Sequence, residues 1–136
     1  IERIKVKSSG EVGIGTAETF GYKLAVNGRI GAKEVKVEIS SPWPDYVFAN
    51  TYKLPTLKEV EKHIKEKGHL KNIPSAKEVA ENKGIELGEM NRKLLQKIEE
   101  LTLYTIQQEN KIKELEKDKE RLNRLEEKVD LLLKNK

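Results

Sequence analysis

The sequence predicts an α+β chain: the short strands of a β-stalk, then a small domain with two short helices, then a long C-terminal helix that forms a parallel coiled coil. Three observations predict it. Valine, isoleucine and leucine alternate with polar residues or glycine over the first 39 residues, the period-2 signal of half-buried strands. Two Ser/Thr-x-x-Glu boxes follow prolines in the middle, the sequence mark of helix starts. The last third has no proline and repeats its apolar residues at steps of three and four. The expected organisation is 1–39 as stalk segment, 40–86 as small domain and 87–136 as long helix.

In the stalk segment the predicted strands centre on Ile4 and Val6, Val12 and Ile14, Leu24 and Val26, and Val35, Val37 and Ile39. Asn27-Gly28 predicts a tight type I′ hairpin, because that turn needs positive φ at both central residues. The run Gly10 to Thr16, GEVGIGT, invites comparison with phosphate-binding loops. The dinucleotide fingerprint places a third glycine where this chain has Glu18, and a P-loop closes on Gly-Lys-Ser/Thr where this chain has Gly15-Thr16-Ala17. Gly13 and Gly15 are instead expected where strands approach one another closely or turn sharply. Strands this short bury little alone, so neighbouring copies are expected to cover them.

Ser40 to Pro44 breaks the pattern with two prolines around Trp43, a tryptophan expected to plug nearby apolar surface. Tyr46 to Phe48 reads as a short apolar extended or turn segment. Thr56 with Glu59, and Ser75 with Glu78, are the two capping boxes, and Gly68 and Gly84 are stops. Short helices are therefore expected at about 57–67 and 76–82. Leu57, Val60 and Ile64 share one helix face, while Leu70 and Ile73 are expected to tuck into a small core.

From Leu87 onward one helix of roughly 48 residues, about 70 Å long, is expected. Its seam runs through Leu94, Ile98, Leu101, Thr105, Gln108, Ile112 and Leu115, and a narrow seam of this kind requires partner helices. Leu122, Leu125, Val129 and Leu132 resume the rhythm after about three extra residues near Asp118, a local overwinding of the coil. Leu95, Leu103, Tyr104 and Ile106 lie off the seam, so residues 90–106 are expected to pack on sister helices and on the chain's own residues 45–86. Isoleucine at 98 and 112 with leucine at 101 and 115 favours a dimer, and Thr105 with Gln108 forms a register-fixing polar layer.

Composition narrows the function classes. Among 136 residues, 37% are charged and 36% apolar, so a large core is not expected. The 27 Lys+Arg and 23 Asp+Glu are interleaved, leaving a net charge of +4 that gives no basic footprint for nucleic acid or an acidic membrane. There is no cysteine, and no apolar run long enough to span a membrane. The chain opens at Ile1, and a soluble fragment of something longer is expected. His63 and His69 do not complete a zinc site, so neither metal nor cofactor is expected. The carboxylates of the long helix are read as solvated partners of Lys and Arg, as at Glu114 with Lys117 and Glu120 with Arg124. No serine lies in a Gly-x-Ser-x-Gly turn, and no catalytic residue is assigned.

Val12 to Thr16, Lys23 to Gly28, Ala32 to Val37, Pro44 to Phe48, His69 to Val79 and Gly88 to Asn91 with Leu94 to Tyr104 resemble, in order, the tail-fibre C-terminal regions of Bacteroidetes proteins and their phages. The resemblance covers about Gly10 to Ile106. The chain is more distantly similar to the intramolecular chaperone domain of phage endosialidases and tailspikes, the S74 peptidase type. That resemblance implies a homotrimer beneath a β-rich stalk, on a virion tail fibre or at a cell surface, with self as the partner. In that family a serine in a Ser-Asp pair cuts the chaperone away; this chain has Pro44-Asp45 there, and Ser40 and Ser41 lack the Arg and Lys pattern that follows the family's serine. The expected role is assembly without cleavage. A self-cleaving serine endopeptidase is one alternative, and a carbohydrate-binding fibre tip using Trp43 and Tyr46 is another.

Overall fold

The computed structural model describes residues 3–134 and divides into two compact units between Lys36 and Val37. The first unit is a three-stranded mixed sheet of β1 (Ile4–Val6), β2 (Val12–Ile14) and β3 (Leu24–Val26) in that spatial order. β1 pairs antiparallel with β2, Ile4 opposite Ile14 and Val6 opposite Val12. β3 runs parallel to β2, with Leu24 opposite Val12 and Val26 opposite Ile14. Since side chains alternate faces along a strand, this register gathers Ile4, Val6, Val12, Ile14, Leu24 and Val26 on one face. Within the chain that face stays largely open, with Ile4, Val6, Ile14 and Leu24 all exposed.

Gly13, at the centre of β2, is buried, and a Cβ there would lie 2.2 Å from the Thr16 carbonyl oxygen. Gly15 follows in the left-handed region at φ +69°. The glycine-rich run therefore folds the chain back onto itself after β2. Opposite it, the Thr19 hydroxyl donates to Glu11 Oε2 at 2.6 Å and accepts from Lys7 Nζ at 2.9 Å. The Thr19 bond first, and then Lys7, whose Nζ also lies 3.3 Å from Glu11 Oε2, hold the Glu11 carboxyl below its ordinary pKa.

Two expectations for this segment are corrected. Asn27-Gly28 makes no type I′ turn: neither residue has positive φ. The Asn27 amide instead donates to the Ile14 carbonyl, and its side chain donates to the Gly15 carbonyl. Positive φ at both central positions occurs at Phe20 (52°) and Gly21 (84°), in a turn closed by the Tyr22 amide on the Thr19 carbonyl. The run Val35, Val37, Ile39 forms no strand. Alternation alone does not make a strand where no partner edge is supplied.

The second unit begins with that extended run. Val37 and Ile39 lie against Gly88, where a Cβ would come within 2.8 Å and 2.5 Å of their methyl groups. The Pro44–Phe48 segment, expected to be extended or a turn, is a 3₁₀ helix with Pro44 and Val47 buried. Both capping boxes form as the sequence predicts. Thr56 starts α1 (Leu57–Lys67) and Ser75 starts α2 (Ala76–Glu81), each hydroxyl accepting from the amide three residues on. Gly68 closes α1 in the left-handed conformation. α3 (Leu87–Lys134) is one uninterrupted helix of 48 residues.

The single chain has almost no apolar core: among the described residues the buried hydrophobic side chains are Val47 (2% exposed) and Tyr104 (9%). Trp43 is half exposed rather than a plug, and Leu70 is exposed rather than tucked inward.

Candidate oligomerisation surface

At about 100° per residue a helix has distinct faces, and α3 uses two of them differently. Gln96, Glu99, Glu100 and Tyr104 are buried. The 3₁₀ helix lies against α3, and residues 46–55 supply its hydrogen-bond partners there. Tyr46 donates to Gln96 Oε1 at 2.9 Å, and Tyr52 donates to Glu100 Oε1 at 2.5 Å. Gln96 Nε2 donates to the same Glu100 oxygen at 2.9 Å, Lys97 Nζ reaches Glu100 Oε2 at 2.7 Å, and Tyr104 donates to the Pro55 carbonyl. The rings of Tyr46 and Tyr52 meet at 6.0 Å between centroids.

Electrostatics make this contact specific. Burial alone would raise the Glu100 pKa, but hydrogen bonds from Lys97, Tyr52 and Gln96 outweigh it and leave the carboxyl below its ordinary value. Burial, followed by the bond to Glu100, pushes the Tyr52 phenol up to about 12. Glu99 has no such partners. Its Oε2 is buried without a hydrogen bond, and burial, then the nearby Asp45 charge, raises its pKa.

From Leu94 to Ile112 the seam lies on the side of the helix away from this covered face, whereas at about 100° per residue Leu122, Leu125, Val129 and Leu132 come round to the azimuth of the covered face, beyond its end. Leu94, Ile98, Leu101, Ile112, Leu115, Leu122, Leu125, Val129 and Leu132 are all exposed, Ile98 at 58% and Leu101 at 63%. Thr105 and Gln108 share that exposure, but they differ chemically. The Thr105 hydroxyl donates to the Leu101 carbonyl at 2.9 Å, so its hydrogen is already placed on its own helix. Gln108 is left as the polar side chain of that layer. Along the distal helix the observed ion pairs are Lys111–Glu114 and Lys113–Glu109.

Sequence reasoning missed the polar character of the covered face. Leu103 and Leu95 are half-buried there or beside it, whereas Ile106, expected to be part of it, is exposed. Glu100 reads as a solvated carboxylate because its partner Tyr52 lies 48 positions away, and Tyr46 reaches Gln96 across 50. The available signal was the placement of Tyr46, Tyr52 and Tyr104, whose hydroxyls need partners once the rings are covered.

The remaining candidates do not converge on chemistry. His63 and His69 meet edge to face, 5.6 Å between centroids. Among the described residues no three of His, Cys, Asp and Glu are grouped to hold a metal, and no helix is long and apolar enough to cross a membrane. Gly13, Gly15, Asn27 and Gly28 belong to the sheet unit, where Gly13 and Gly15 serve the backbone and Asn27 holds the Gly15 carbonyl, while a Cβ at Gly28 would meet nothing within 4 Å. Comparison with protein-family models, curated proteins and solved structures finds no match for the chain.

Proposed function

We propose that the chain is a structural trimerisation and folding module of a fibrous protein, a tail fibre or cell-surface fibre, acting as an intramolecular-chaperone-like assembly domain. The observation that carries this reading is the division of α3: its own chain covers the polar face and leaves the heptad seam open from Leu94 to Leu132. An open seam of this length is stable in water when identical helices bury it. Association in register brings short strands of different chains to high effective concentration and offsets the closure entropy of pairing them. The uncovered apolar sheet face is the surface that gains from this. Three copies are proposed over two on the resemblance to trimeric fibre chaperone domains, because the seam residues themselves suit two strands.

Light scattering and sedimentation of the full chain, beside a chain ending at Ile106, test the reading. The full chain is expected to be a trimer whose melting temperature rises with concentration. The shorter chain is expected to dissociate. A sharply melting monomer at micromolar concentration would overturn the proposal.

A further inference from the structure

α1 stands away from α3: no Cα pair between the two helices lies within 8 Å. The space between them is a trough of about 760 Å³. One wall is Leu57, Val60 and Leu70; the floor is Leu94, Ile98 and Leu101. The floor residues are the first layers of the seam, so whatever buries the seam also enters the trough.

The trough opens on the flank of α3 that carries Lys97, Tyr104 and, one heptad on, Lys111. The opposite flank carries Leu95, Thr102, Glu109 and Glu116 at the same spacing. When helices run parallel and in register, the first flank of one copy faces the second flank of the next. That arrangement brings Lys111 toward Glu116 of the neighbour. An antiparallel arrangement sets lysine flank against lysine flank and glutamate flank against glutamate flank. Lys111 is held meanwhile by an exposed intrahelical pair with Glu114, an interaction weak enough to exchange.

We infer that the trough is the seat of α3 from a second copy of this chain, and that residues 53–71 form an arm that clasps this neighbouring helix along its Leu95 and Thr102 flank. The inference rests on the oligomeric reading above and adds what the arm is for. Each copy then contributes Leu57 and Val60 to a layer outside the seam, so that the top of the coil is held by two shells.

The chain has no cysteine, which makes disulfide trapping a clean test. A Leu115→Cys variant reports the parallel seam alone, and a Val60→Cys/Thr102→Cys variant reports the arm. Under a mild oxidant, followed by non-reducing electrophoresis and intact mass, the paired variant is expected to give covalent oligomers, while Val60→Cys and Thr102→Cys singly stay uncrosslinked. Cross-linking of Leu115→Cys without the paired variant overturns the arm and leaves the coil standing. A covalent monomer from the paired variant places the arm on its own helix and overturns it too. If neither variant cross-links, the coil and the arm both fall.

Discussion

Tyr52 and Glu100, 48 positions apart, share a 2.5 Å hydrogen bond in which the phenol donates to the carboxylate, and Lys97 and Gln96 hold the same carboxylate from the helix. One short bond thus ties the loop before α1 to the covered face of α3. Its two partners titrate at opposite ends of the pH scale.

The pH dependence follows from the two shifts. Glu100 has a depressed pKa in the folded chain, so its contribution is present above the unfolded carboxylate value and is lost as pH falls through the folded one. Tyr52 is raised to about 12 from 10.0; its contribution is present below the unfolded phenol value and lost as pH rises through the folded value. Melting followed by circular dichroism is expected to weaken in acid and again above about pH 10. Tyr52→Phe should remove this residue's part of the alkaline loss and cost about 1.5–3 kcal/mol at neutral pH, the range for a hydrogen bond to a charged group.

In the seam, Thr105 and Gln108 are expected to respond differently to apolar replacement. Gln108→Ile removes the polar side chain left in that layer and should raise the melting temperature of the assembly while loosening its register. Thr105→Val should change stability by less, because the threonine hydroxyl is already placed on the Leu101 carbonyl. Leu115→Ala should destabilise by about 2–5 kcal/mol per chain, as a buried leucine truncation does. Denaturation at fixed protein concentration measures all three.

Gly13 and Gly28 make a second contrast. Gly13→Ala forces a methyl to 2.2 Å from the Thr16 carbonyl oxygen, and relieving that clash should cost about 1–3 kcal/mol or more. Gly28→Ala meets nothing within 4 Å and has no left-handed backbone to strain, so a change within about 0.5 kcal/mol is expected. Proteolysis within residues 3–36 reports the difference directly.

At the Phe20-Gly21 turn a bulky side chain, 79% exposed, occupies φ 52°. Left-handed backbone costs a non-glycine residue roughly 1–2 kcal/mol, and asparagine tolerates it better. Phe20→Asn should therefore stabilise the sheet unit by up to about 1 kcal/mol, read as a higher denaturation midpoint.

The self-cleaving alternative has its own readout. Intact mass of freshly made protein is expected to show the undivided chain, and a fragment ending near Ser40 would establish processing instead.

The helices were legible because their signals are local. A hydroxyl and a glutamate three residues apart, each after a proline, define a start whatever lies elsewhere, and Thr56 and Ser75 do so within one residue. The long helix was legible because its apolar period and its freedom from proline are internal to one segment. What was not legible depends on distant partners. Asn27-Gly28 carries the right residues for a hairpin, yet β3 pairs parallel to β2, and no strand follows it to turn back. Val35, Val37 and Ile39 alternate like a strand, but Val37 and Ile39 lie against Gly88 instead. Gln96 and Glu100 look like surface polar residues until Tyr46 and Tyr52 arrive from another part of the chain. The trough beside α1 was hidden for the same reason, since Leu57 and Val60 predict an apolar face without saying that α3 stays out of its reach.

The chain's own cover on α3 reaches only as far as Tyr104, and the helix beyond it is exposed along its whole length to Lys134. A ribosome makes those residues after every strand and cap that precedes them here. Under the proposed assembly role, the glycine-punctuated front end gains its partners once the distal helix has emerged, and zipping travels backward against the direction of synthesis. In that reading, late manufacture of the nucleation point keeps a growing chain from pairing its apolar strands too early.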